Sequence, residues 1–166
     1  GMKQRTIYLN GFSKAFAMTG WRVGYACGPE EIINAMTKIH QYTMLCSPIM
    51  GQLGAIEALR GSAKSVLEMK REYKRRREFI VSKLNEIGLY CAMPEGTFYV
   101  FPSIKNTGMN SAGFAKKLLQ KEKVAVVPGT AFGSQGEGHI RIAYASSMDN
   151  LKEATQRIEH FLKNNA

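Results

Sequence analysis

The sequence predicts an α/β chain in two parts, and three observations carry that expectation. Short apolar runs bounded by Gly, Pro and Asn alternate with amphipathic helical stretches. One helical stretch of about 25 residues, roughly 37 Å at 1.5 Å per residue, separates the two parts and suits a bridge between domains. The first part holds two strands, too little sheet to bury both faces, so it reads as the end of a larger sheet whose N-terminal portion is missing.

In chain order, Arg5–Leu9 reads as a short strand broken at Asn10-Gly11, followed by a loop bearing Ser, Lys and Gly to Gly20, and Trp21–Ala26 as a second strand. Gly28-Pro29-Glu30-Glu31 supplies a turn, a proline suited to the first helical turn and two carboxylates that favour a helix N-terminus, so a helix runs to about Tyr42. Ser47-Pro48 opens another, with Ile49, Leu53, Ile56 and Leu59 at helical spacing until Arg60-Gly61. From Ser62 to Ile87 the residues Val66, Met69, Tyr73, Ile80, Leu84 and Ile87 form one apolar stripe while charges fill the other faces, and Gly88 stops the helix. Leu89–Met93 and Thr97–Phe101 read as paired strands across Pro94-Glu95-Gly96, Ala112–Gln120 as a helix, and Lys123–Val127 and His139–Ala145 as further strands. Ser146-x-x-Asp149 has capping-box spacing, and Leu151, Ala154, Ile158 and Phe161 mark a final helix. The expected parts are residues 1–61 and 62–166. The first is expected to be the less stable, with Ile7, Leu9, Val23 and Tyr25 seeking a partner surface and causing self-association.

Composition narrows the function classes. No apolar stretch approaches the roughly 20 residues a membrane span needs, and the N-terminus lacks a hydrophobic signal core, so a soluble cytoplasmic protein is expected. Lys and Arg number 23 against 13 Asp and Glu, a net charge of +10, which raises a nucleic-acid partner. The densest run, Lys70–Arg77, lies in a helical pattern with no interleaved aromatic beyond Tyr73, so a solvated helix face is expected and no nucleic acid or membrane partner. Cys27, Cys46 and Cys91 are odd in number and lack ligand spacing, which argues against a disulfide framework or a metal site and for buried free thiols.

The chemistry-bearing segment is Gly11-Phe12-Ser13-Lys14-Ala15-Phe16-Ala17-Met18-Thr19-Gly20-Trp21-Arg22-Val23-Gly24. It places a lysine in a strand-to-loop break and an arginine at the start of the next strand, so that both cations edge one cleft. An amine there can form an imine with an aldehyde, and a guanidinium fork can take a phosphate. Spacing alone leaves open that Lys14 and Arg22 are surface cations bordering a turn. The segment is similar, however, to the lysine motif of class I/II pyridoxal-phosphate-dependent aminotransferases of the aspartate/aromatic type: a glycine or serine, a variable residue, a small residue, the lysine, then Gly-x-Arg-x-Gly. The resemblance implies that Lys14 holds pyridoxal 5'-phosphate as an internal aldimine and shuttles a proton between the substrate α-carbon and C4′ of the cofactor. It gives Arg22 the cofactor phosphate and Ser13 a supporting place near it. A serine often found three residues before the lysine is Gly11 here, a departure that bears on one phosphate contact.

A second anchor is Gly138-His139-Ile140-Arg141-Ile142-Ala143-Tyr144-Ala145, where period-two alternation sets Ile140, Ile142 and Tyr144 on one face and Arg141 on the other. A solvent-facing strand arginine stays open on pattern alone. The segment resembles the family's closing strand, whose arginine binds the substrate α-carboxylate, and this implies that role for Arg141. Pro94–Pro102 resembles the small-domain hairpin that approaches the substrate, and Val127–Gly133 the loop at the active-site mouth. Gly96 and Phe132 are therefore candidate lining residues, with turn glycine and packed aromatic as the alternatives. Gln41–Pro48 corresponds to a region that reaches the neighbouring subunit's site in the family's dimers, which makes Tyr42 a candidate there.

The resemblance covers residues 5–163. It implies the end of the large domain of a fold-type-I enzyme over residues 1–61, then the linking helix and small α/β domain over 62–166. It also implies a homodimer acting on amino acids and 2-oxo acids. The aspartate that pairs with the pyridine nitrogen is expected in the missing portion, so this chain alone is expected to have little or no activity. A non-catalytic dimerisation or docking domain is the alternative, and the particular amino acid stays open.

Overall fold

The structure, a computed structural model, describes residues 1–61 and 63–165. It is an α/β chain that divides into two compact units, Gly1–Met69 and Lys70–Ala166.

In the first unit, β1 (Tyr8–Gly11) pairs antiparallel with β2 (Gly24–Cys27), with Tyr8 opposite Cys27 and Gly11 opposite Gly24. Both strands start later than expected. Lys3–Arg5 is a 3-10 turn, and Thr19–Trp21 is another, after which Arg22 sits in the left-handed region at φ 55°. Those dihedrals take Trp21 and Arg22 out of the extended conformation a strand requires. The strand pair instead closes on glycine: a Cβ on Gly24 would lie 3.0 Å from the Asn10 carbonyl oxygen.

Two helices follow, α1 (Glu30–Thr43), for which Pro29 serves as N-cap and not as a first-turn residue, and α2 (Ile49–Gly61). The apolar stripe of α2 does not form the core: Ile49, Leu53, Ile56 and Leu59 are all exposed, and Gly51 and Ala55 are buried instead. The physical reason is close approach. A Cβ on Gly51 would lie 3.0 Å from the Trp21 carbonyl oxygen, and one on Gly54 would lie 3.0 Å from the Trp21 ring, so α2 presents its small-residue face. The resulting cluster is Phe12, Met18, Val23 and Ala55. Val23 is thus covered within the unit, contrary to expectation, whereas Ile7, Leu9 and Tyr25 are exposed.

The long helix α3 is Ala63–Glu86; its expected first residue, Ser62, lies outside the described residues. Gly88 ends it at φ +88°. The second unit carries a three-stranded antiparallel sheet of β3 (Tyr99–Val100), β4 (Val127–Pro128) and β5 (Ile140–Ala143) in the order β3-β5-β4. Helices α4 (Ser111–Glu122) and α5 (Met148–Lys163) pack with it.

The expected hairpin of Leu89–Met93 with Thr97–Phe101 does not form; Tyr99 and Val100 pair with Ala143 and Ile142. Backbone groups in and just after the first of those segments are taken instead by side chains of α3 and by Ser103, whose N–H donates to Tyr90 O at 2.8 Å. Asn85 accepts from Cys91 N at 3.1 Å and donates to Cys91 O at 3.0 Å, and Arg77 donates to Pro94 O at 2.9 Å. The strand expected over Lys123–Val127 shortens to β4 because Lys123 is the left-handed C-cap of α4. The N-cap of α5 is Ser147, accepting from Asn150 N, in place of Ser146.

The core joins Ile80 and Leu84 of α3, Phe114 and Leu118 of α4, Ile140, Ile142 and Tyr144 at β5, and Leu151, Ile158 and Phe161 of α5. Thr155, not Ala154, completes the buried stripe of α5, its hydroxyl returned to Leu151 O at 3.0 Å. Of the cysteines only Cys91 is buried, and burial pushes its thiol pKa up; Cys27 and Cys46 are exposed. The basic run is not wholly a solvated face, since Arg77 is half-buried, while Glu72 accepts from both Arg75 and Arg76. No helix of the described residues is long and apolar enough to cross a membrane.

Candidate active site

The loop between β1 and β2 is tied at its base. Beyond the Gly11–Gly24 pair, Phe12 N donates to Val23 O at 3.2 Å, and inside the loop both Phe16 N and Met18 N donate to Phe12 O at 3.3 Å. Phe12, Met18 and Val23 are buried, which anchors both ends and the middle of the excursion. Lys14 lies exposed on the turn so formed, and Ser13 beside it is half-buried. Arg22, also exposed, donates through Nη1 to Thr19 O at 2.8 Å. The structure therefore brings Ser13, Lys14 and Arg22 onto one closed loop.

That loop is strained. Ala17 and Arg22 have φ of 54° and 55°, and the left-handed conformation costs an L-residue about 1–2 kcal/mol. Strain of this kind persists where packing over-determines it and concentrates at functional positions. The side chains present suit a phosphorylated aldehyde: an exposed primary amine to bond the carbonyl carbon, and a guanidinium of five N–H donors with one already directed to Thr19.

Arg141 stands on β5, opposite Val127 in register. The alternation holds: Ile140, Ile142 and Tyr144 are buried and Arg141 is half-buried on the other face. Its guanidinium carbon lies 4.3 Å from the Tyr99 ring centroid and 4.5 Å from that of Phe132. Among the described residues Arg141 has no hydrogen-bond acceptor and no carboxylate partner. A half-buried guanidinium whose donors meet no protein acceptor can receive an anion.

The segment bearing Gly96 is held from two sides. Arg77 donates to Pro94 O, and the Tyr144 hydroxyl donates to Thr97 O at 2.7 Å, with Thr97 at φ 67°. Burial raises the pKa of the Tyr144 phenol, which keeps it a donor there. Gly96 itself faces open space. Phe132 is 52% exposed and packs edge-on to Phe101 at 6.1 Å, so it is neither a buried core ring nor an isolated one. Tyr42, at the end of α1, is 93% exposed. A separate groove of about 320 Å³ in the second unit, bordered by Lys123, Ala143, Asn150, Glu153 and Arg157, contains none of the candidate residues.

Sequence reasoning missed Tyr99 and Arg77. The aromatic run Phe98-Tyr99 preceding a strand was a weak signal for the first, but the strand order that sets Tyr99 against β5 is not written in periodicity.

The family model for aminotransferase class I and II matches residues 1–158. The Bacillus subtilis (strain 168) protein YugH is 56% identical over 162 residues, covering 98% of this chain and 42% of its own length. An aspartate aminotransferase of Pyrococcus abyssi is 49% identical over 165 residues, covering 98% and 42% respectively. The crystal structure of an aromatic aminotransferase from Pyrococcus horikoshii OT3 superposes with a TM-score of 0.95 at 48% identity, covering 99% of this chain and 44% of that one. This chain thus spans less than half the length of the relatives it matches, and across the matched residues it belongs to the aminotransferase class I and II family.

Proposed function

We propose that the chain is the C-terminal portion of a pyridoxal-phosphate-dependent aminotransferase that moves an amino group between an amino acid and a 2-oxo acid. The observation that carries the reading is the strained, strand-closed loop that holds Lys14 and Arg22 together. Pyridoxal 5'-phosphate, when bound, supplies the electron sink for charge developing at the substrate α-carbon. Lys14 Nζ would hold the cofactor covalently and, as a primary amine, would serve as the base that accepts the substrate's α-proton and as the acid that gives it back. Arg22 donates to the phosphate, with Ser13 in support. Arg141 takes the α-carboxylate through two parallel N–H donors, fixing the substrate against rotation.

On this reading residues 1–61 end the large cofactor domain, residues 62–166 form the linking helix and small domain, and the working enzyme is a homodimer. The chain by itself has little or no transaminase activity, because the carboxylate that holds the pyridine nitrogen protonated belongs to the longer protein. A second reading, a non-catalytic dimerisation or docking domain, has its own support in the exposed apolar side chains of the first unit, Leu9, Leu45, Ile49 and Leu59 among them.

Reduction with borohydride after addition of equimolar pyridoxal phosphate separates the two. Peptide mapping is expected to find the phosphopyridoxyl mass concentrated at Lys14 and lost in Lys14→Ala. Label spread evenly over surface lysines of a folded chain would contradict the cofactor-binding reading and favour the docking one.

A further inference from the structure

Resting on the reading of Arg141 as the carboxylate-binding residue, we propose that Tyr99 and Phe132 are positioning residues that clamp its guanidinium and present its donor edge to the substrate. The two rings come from opposite flanks of β5, as the order β3-β5-β4 requires. On one flank Tyr99 pairs with Ala143, which shares a sheet face with Arg141 two residues earlier, so the Tyr99 ring reaches the arginine along the cross-strand diagonal. On the other flank Val127 pairs with Arg141, and the chain leaves β4 directly into the 3-10 turn Gly129–Phe132 that delivers the second ring. The guanidinium carbon is 4.3 Å from one centroid and 4.5 Å from the other, within cation–π range of both.

The ring on the loop is held in place. Gly129 N donates to His139 O at 2.8 Å, and the backbones of Gly129 and Gly136 cross so closely that a Cβ on either would collide with the other's carbonyl oxygen. Gly133 turns the chain at φ +113°, a conformation that favours glycine. Behind Phe132 stands Phe101, edge-on at 6.1 Å, and behind that His139, stacked on Phe101 at 5.3 Å with planes 5° apart. Phe132 is half exposed and yet restrained.

An unpaired arginine ordinarily samples many rotamers and loses that freedom when it binds. Here the rings do the restraining before the ligand arrives, and they do it through their faces, which leave the guanidinium's hydrogen-bond donors to the carboxylate. Aromatic faces against the guanidinium leave its in-plane N–H edge as the route for a planar, bidentate partner.

The test uses the full chain with 15N-labelled arginine, following the Arg141 Nε–Hε resonance while sodium acetate is titrated as the probe. In the wild type that resonance is expected to be displaced by ring currents and to move on acetate addition, and Arg141→Gln removes it. Tyr99→Leu and Phe132→Leu are each expected to weaken acetate binding at Arg141 by about three- to tenfold and to cancel part of the displacement. Tyr99→Phe, which keeps the ring, retains the affinity. Folded leucine variants with unchanged acetate affinity would overturn the clamp and leave the carboxylate reading intact. A wild-type Arg141 signal that ignores acetate would overturn that reading itself. Should a leucine variant fail to fold, the wild-type spectrum decides: an Nε–Hε resonance without ring-current displacement overturns the clamp.

Discussion

The two compact units carry their chemistry on unequal foundations. In Gly1–Met69 the loop with Lys14 and Arg22 rests on Phe12, Met18, Val23 and Ala55, and α1 buries no residue fully. In Lys70–Ala166 the strand with Arg141 rests, among the described residues, on a cluster of fifteen buried ones drawn from α3, α4, α5, the sheet and the segments that connect them. The first unit holds two left-handed non-glycine residues in its loop against that thin cluster; the second holds Arg141 in an ordinary strand. Extent of burial and catalytic candidacy need not coincide: the residue proposed for bond-making sits over the smaller buried cluster, and the residue proposed for carboxylate binding over the larger.

The largest expected effect sharpens this contrast. Phe114 is fully buried against Phe161, at 5.2 Å between centroids, and Phe114→Ala is expected to cost about 3–5 kcal/mol in urea denaturation. Leu9 is 67% exposed, and Leu9→Ala is expected to stay within about 0.5 kcal/mol. Comparable losses for the two variants would break the comparison. Next in size, Tyr144→Phe removes the donor to Thr97 O and is expected to cost about 1 kcal/mol, with faster amide exchange around Thr97 as its local signature.

A smaller effect appears at acid pH. Glu137 accepts from Ser111 N and Gly138 N and from the Ser111 hydroxyl, in that order of influence, and its carboxyl is held below the ordinary value of 4.5. Because the folded value is the lower one, the stabilisation is complete above the ordinary value and is lost as pH falls through the folded value. Unfolding midpoints measured against pH should show this acid limb in the wild type and a flatter one in Glu137→Gln. Coincident curves would remove Glu137 from the account.

Much of this organisation was readable from the chain. Helices α3 and α5 announce themselves because apolar residues recur at helical spacing, and α1 through the proline and two carboxylates at its start. For α2 the same spacing located the helix but not its buried face, since the contact face is Gly51, Gly54 and Ala55, where smallness and not hydrophobicity decides the packing. Strand partners were the harder problem. The run Thr97–Phe101 shows strand character, realised only at Tyr99–Val100, but not its neighbour, and in the segment expected to pair with it the backbone of Cys91 is taken by Asn85.

The candidate site divides the same way. Lys14, Arg22 and Arg141 stand in motifs specific enough to be read along the chain, whereas the rings around Arg141 depend on strand order and on a glycine crossing between Gly129 and Gly136. Long-range placement of that kind leaves no periodic trace.

The most direct measurement of the central claim is amide hydrogen exchange of the whole chain with and without pyridoxal phosphate, in the wild type and in Lys14→Ala. The account predicts slow exchange in α4, α5 and β5 throughout, and fast exchange over residues 12–23 that slows when the cofactor is added to the wild type but not to the variant. Protection of residues 12–23 as strong as that of α5 without cofactor, or cofactor-induced slowing that persists in Lys14→Ala, would contradict it.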